Sequence, residues 1–121
     1  MFLLFLTLAL AGAPVDLQSC RVPTAIPEMP DRAAPAQPLV AGVAVTFVNR
    51  ASQVATGVTF RVAYDDRTVE ITDHGKFSPG TPISAMLNAF VGMNYWRDEP
   101  DACTIVRVRF ADGSVWKSAA R

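Results

Sequence analysis

From Val43 to Thr72 apolar positions alternate with polar or small ones. The runs are Val43, Val45 and Phe47, then Val58, Phe60, Val62 and Tyr64, then Val69 and Ile71, with turn-prone residues between them. A period of two puts alternate side chains on opposite faces of a pleated strand, so the stretch predicts three consecutive half-buried strands: 39–48, 57–64 and 67–72. Asp65-Asp66 is the expected tight turn between the last two, because aspartate tolerates the left-handed conformation that hairpins require.

Beyond Thr72 the pattern is less regular. In the segment 73–80, Gly75 is expected to supply a positive φ, and Ser78-Pro79-Gly80 predicts a turn with proline second and glycine third. The segment from Thr81 to Gly92 supports two readings. Thr81, Pro82, Ile83, Met86, Leu87 and Phe90 have the spacing of a capped helix, while Ile83, Ala85, Leu87 and Ala89 alternate as in a strand. A strand is expected, because the surrounding elements are short strands and local propensity yields to tertiary context.

A loop over 92–102 then leads to a last alternating run, 103–111. Strict alternation puts Val106, Val108 and Phe110 on the core face, with Cys103, Ile105, Arg107 and Arg109 on the other. Asp112-Gly113 predicts a two-residue hairpin that pairs Phe110 with Val115 and Arg109 with Trp116.

The N-terminal segment has a different character. Phe2 to Leu10 is an almost unbroken apolar run followed by Ala11, Gly12 and Ala13, the small residues a signal peptidase reads, so residues 1–13 are expected to be a secretory signal peptide. The run is shorter than the roughly 20 residues of a membrane-spanning helix. No Lys or Arg precedes it, and Pro14 disfavours a cut after Ala13, so cleavage after Ala11 is the better fit; a buried N-terminal strand or helix is the alternative. Residues 14–38 include Val22 to Pro38, which holds five of the nine prolines. Fixed φ angles and missing N–H donors predict an extended arm there, ahead of a domain at 39–121.

An even cysteine count in an exported chain predicts a disulfide, here Cys20 to Cys103. The competing reading is a lipobox at Leu17-Gln18-Ser19-Cys20, which would attach a lipid to Cys20, although Gln18 and Asp16 interrupt the apolar stretch such a motif continues.

Charge narrows the partners. Eleven Lys plus Arg balance eleven Asp plus Glu with no basic block, which argues against nucleic acid, and against a membrane surface unless Cys20 is lipidated. The only histidine, His74, follows Asp73 and lies near Ser78 on one predicted turn, whereas a catalytic triad draws its groups from separate parts of a fold. An exposed turn histidine is expected. Asp98, Glu99 and Asp101 lack the spacing of a calcium loop and are expected as a solvated acidic loop. No cofactor or metal motif is present, so neither is expected. Tyr95-Trp96-Arg97 is the candidate binding site, since aromatics and arginine dominate binding hot spots; closing one end of the sandwich is its structural alternative.

Val-Thr-Phe-Val-Asn at 45–49, Gly-Val-Thr-Phe-Arg-Val at 57–62, Gly-Lys-Phe-Ser-Pro-Gly at 75–80 and Val-Arg-Phe-Ala-Asp-Gly-Ser-Val-Trp at 108–116 resemble small exported bacterial proteins of unknown function with an immunoglobulin-like look. The resemblance implies an all-β, immunoglobulin-like antiparallel sandwich of six to seven strands and brings no catalytic residues. The expected function is a non-enzymatic, monomeric binding or structural module, periplasmic or extracellular, acting on a protein or glycan surface. Two alternatives are a lipid-anchored envelope component and a small hydrolase or enzyme inhibitor using the loops at 73–80 and 92–102. The hydrolase would need His74 beside Asp98 or Glu99.

Overall fold

A computed structural model describes residues 13–23, 42–89 and 97–118. The expected signal peptide falls outside the described residues up to Ala13, as does most of the Pro-rich arm. Seven strands are described: β1 (Val15–Arg21), β2 (Gly42–Asn49), β3 (Ala55–Tyr64), β4 (Arg67–Phe77), β5 (Pro82–Asn88), β6 (Ala102–Phe110) and β7 (Val115–Lys117). They form two antiparallel sheets, β1-β2-β5 and β4-β3-β6-β7. Packed face to face, these make the expected immunoglobulin-like sandwich, with the chain changing sheets three times, between β2 and β3, between β4 and β5 and between β5 and β6.

The core is built from the alternating positions. Val43, Val45 and Phe47 of β2 face Val58, Phe60, Val62 and Tyr64 of β3, all at most 2% exposed. The Phe47 ring lies 5.5 Å from that of Phe60 and meets Phe77 edge-on at 5.2 Å. Each such side chain contributes roughly 1.5–3 kcal/mol by leaving water. On β5, Ile83, Ala85 and Leu87 point into the sandwich, so the strand assignment at 81–92 holds through Asn88.

Val15–Arg21, expected to open an arm outside the domain, is instead the first strand of the smaller sheet, and Val15 and Val22 are core residues. The alternation of its side chains is interrupted: Leu17 pairs with Phe47 but Ser19 with Thr46, leaving Gln18 as an extra residue. This bulge switches the inward phase from Val15 and Leu17 to Cys20 and Val22. In β6, Ile105 pairs with Phe60 and Arg107 with Thr59, so Val106 is the extra residue. The expected inward set of Val106, Val108 and Phe110 is therefore corrected to Cys103, Ile105, Val108 and Phe110.

The two bulges bring the cysteines to the same interior. Cys20 and Cys103 are bonded, with Cα atoms 6.6 Å apart, joining β1 of one sheet to β6 of the other. Antibody domains bridge their second and sixth strands; this bridge uses the first.

Two turns behave as expected and two do not. Tyr64 pairs with Arg67 across Asp65-Asp66, with Asp65 at a φ of 55°. Gly80 has a φ of 84° at the third position of its turn. Gly75, however, has no positive φ and lies within β4; a Cβ there would sit 2.9 Å from the Phe77 ring, so close approach is what requires glycine. The last hairpin is one residue longer than expected. Phe110 N–H donates to the Ser114 carbonyl, Gly113 takes a φ of 92°, and Arg109 pairs with Val115 while Val108 pairs with Trp116. A three-residue loop with glycine at the left-handed position shifts the register, so Trp116 packs on the core and Val115 is exposed. The expected Arg109–Trp116 pair does not form.

Candidate functional site

The sequence-predicted site divides. Tyr95 and Trp96 lie outside the described residues. Arg97 is held within the fold: its guanidinium stacks 4.5 Å above the Tyr64 ring and reaches Asp101 at 3.0 Å and Asp65 at 3.3 Å, and it donates to the Glu99 carbonyl. The Tyr64 hydroxyl donates to the Arg97 carbonyl and accepts from its N–H. Asp101 also receives the Asp65 N–H at 2.7 Å. The aromatic face, the two carboxylates and the β3–β4 turn thus form one clasp at this end of the sandwich. Within the loop expected to be solvated, Asp101 is structural and Asp98 pairs with Arg21 at 3.7 Å.

His74 is not on a turn. It lies in β4 opposite Gly57 at the start of β3, whereas Asp98 to Asp101 lie by Ala63 and Tyr64 at the other end. Seven strand residues separate the ends by roughly 20 Å, so the His74–Asp98 or His74–Glu99 pair that a hydrolase would need is not assembled.

The register puts His74 in different company. Outward positions of the larger sheet form rows across its strands. Gly57 pairs with His74 on one side and Arg109 on the other; Thr59 pairs with Thr72 and Arg107; Arg61 pairs with Glu70 and Thr104. Lys117 continues the second row beyond Arg107. Because Gly57 has no side chain, the middle of the first row is a gap, a depression of about 120 Å³ lined by Gly57, Thr59, Thr72, His74, Arg107 and Arg109. Its hydroxyls are ordered: Thr59 and Thr72 Oγ1 are 2.8 Å apart, and Arg107 donates to Thr59 Oγ1 at 3.3 Å. Glu70 holds Arg61 at 2.8 Å and touches Arg107 at 3.9 Å. Among the described residues the Arg109 and Lys117 side chains have no acidic partner.

Composition does not reveal this face, because the net charge is zero. The usable signal is local: Arg107 and Arg109 are two apart on a predicted strand, hence on one face, and Gly57 interrupts a strand where a side chain would be expected. The row that joins them to His74 comes from long-range register.

A seven-stranded, disulfide-bridged antiparallel sandwich defines the class as an immunoglobulin-like β-sandwich. Comparison with known proteins finds no matching family model, no matching curated protein and no matching solved structure.

Proposed function

We infer that this is an exported, non-enzymatic binding module that meets its partner through the outer face of the larger sheet. The observation that carries the reading is the grouping of Arg61, Arg107, Arg109 and Lys117 on that face, beside His74, against Glu70 alone among the described residues. A protein of zero net charge that concentrates cations on one sheet favours an acidic surface there, protein or glycan.

Export is supported by two features. The apolar run from Phe2 to Leu10 has the length of a signal peptide's hydrophobic region, and the Cys20–Cys103 bridge is compatible with an oxidising compartment, periplasmic or extracellular. A cut after Ala11 or Ala13 leaves β1 intact, including the Pro14 carbonyl that accepts the Arg50 N–H. Lipobox cleavage before Cys20 would remove Val15 and Leu17 from the core, and a sulfur bonded to Cys103 has none of its valence left for a lipid. The soluble module is therefore preferred to the lipid-anchored one.

The test is affinity capture from the envelope of the source cell, with the native chain beside an Arg61→Glu/Arg109→Glu/Lys117→Glu variant. A partner retained by the native chain and lost by the folded variant is expected. Capture unaffected by the reversal would transfer the role to another surface, of which the segment with Tyr95 and Trp96 is the next to test.

A further inference from the structure

We propose that the depression over Gly57 is a discrete oxyanion site, taking a phosphate or sulfate group, with Arg109, Arg107 and the Thr59–Thr72 hydroxyl pair as its donors. The proposal deepens the binding reading above and rests on it for its biological use.

The donor count is the argument. Two threonine hydroxyls carry two protons. One is used in the 2.8 Å bond between them, and Arg107, which only donates, fills an acceptor position on Thr59. One hydroxyl proton is left without a protein acceptor among the described residues. Thr59 is 3% exposed, so its orientation is set by the sheet. Arg109 adds a guanidinium with no acidic partner among the described residues, and its backbone carbonyl, held by Thr56 at 3.3 Å, fixes the strand from which it projects. Among the described residues no carboxylate lines the depression; Glu70 is shared by Arg61 and Arg107 one row away, and Asp73, between Thr72 and His74, sits on the inward phase of β4 opposite buried Val58. A set of groups that donate and carry positive charge fits a ligand that only accepts and is negative, and the planar guanidinium fork matches two oxygens of such a group.

The gap is as informative as the donors. Replacing Gly57 by Ala would place a methyl 3.7 Å from Thr72 Cγ2, 3.8 Å from Arg109 Cβ and 3.9 Å from His74 Nδ1, ordinary contacts that leave the fold intact. Space at this position is therefore not demanded by packing. Gly57 opens the middle of a row that its neighbours would otherwise fill.

The experiment uses the native chain, isotope-labelled, titrated with sodium phosphate, sodium sulfate or sodium acetate at constant ionic strength. Concentrations stay below roughly 50 mM, where screening does not yet dominate. Saturable amide shifts confined to Gly57, Thr59, Thr72, His74, Arg107 and Arg109 are expected for phosphate and sulfate. Acetate distinguishes a carboxylate from a tetrahedral ligand: equal binding of all three would overturn the stated ligand class. Arg109→Gln should weaken binding about tenfold or more, as expected for loss of a charge-assisted contact. Gly57→Ala should weaken it by a similar factor without lowering Tm. Shifts spread over all surface cations, or a Gly57→Ala variant that binds as the native chain does, would overturn the site. Failure here with partner capture still sensitive to the Arg61→Glu/Arg109→Glu/Lys117→Glu reversal would leave the binding face standing, so the two readings fail separately.

Discussion

Asn49 shows how much a single side chain can decide. It is fully buried at the end of β2, where its amide nitrogen donates to the carbonyls of Gln53 and Phe77 and its oxygen accepts the Ala51 N–H. Its own carbonyl accepts the Gly80 N–H, so one residue joins the β2–β3 connection to the end of β4 and the turn before β5. Asn49→Ala keeps the bond to Gly80 but removes the side-chain partners of the Gln53 and Phe77 carbonyls and the Ala51 N–H, and should cost about 2–4 kcal/mol in a urea melt. Asp73 makes a pH-dependent prediction. Partial burial raises its carboxyl above the usual aspartate range, with the charge of His74 pulling the other way. A carboxyl raised on folding binds its proton more tightly in the native state, so its stabilisation is complete below the unfolded pKa and is lost as pH rises through the folded one. Asp73→Asn should therefore raise Tm near neutral pH and have little effect below about pH 3, read by thermal melts across that range. Neither role was legible in the sequence. Asn49 reads as a loop opener and Asp73 as a turn residue until β4 is seen to extend through Phe77, because burial comes from elements far along the chain.

At the scale of elements, the bulges decide what alternation alone cannot. A strand with one extra residue flips every side chain beyond it, and periodicity read locally assigns the flipped half to the wrong face. In β1 the extra residue is Gln18, which separates Val15 and Leu17 from Cys20, and in β6 it is Val106, which separates Cys103 and Ile105 from Val108 and Phe110. Deleting Gln18 should remove the bulge and leave Leu17, Ser19 and Cys20 opposite Phe47, Thr46 and Val45 in unbroken alternation, with Leu17 and Cys20 both still inside. No titratable thiol in the purified, air-oxidised variant is the expected result; two free thiols would mean that the local twist of the bulge is needed to bring Cys20 to Cys103. The β6–β7 hairpin makes the same point at a turn. Asp-Gly marks the reversal correctly, but loop length sets the register, and the three-residue loop moves Trp116 from the outer face to the core.

For the molecule as a whole, the bridge and the sandwich act together. The disulfide closes a separation of 83 residues, which in the chain-entropy model is worth up to roughly 4 to 5 kcal/mol. That is a large share of a small domain's total of about 5 to 15 kcal/mol, so a Cys20→Ala/Cys103→Ala variant should lose roughly 15–30 °C of Tm. A variant that melts as the native protein does would show that packing alone holds β1. The sequence by itself determined the strand class, the positions of most turns and the pairing of the only two cysteines. These follow from side-chain alternation, from the conformations open to glycine, proline and aspartate, and from counting. Tertiary structure alone decided that residues 15–21 belong to a sheet, which way each strand faces after its bulge, and that Arg97 serves a clasp. It also set the row of His74, Gly57 and Arg109. The physical reason is the same in each case. Local sequence encodes the pleat, but the residue opposite is set by pairing between segments up to dozens of residues apart, and a site on a sheet is a property of that pairing.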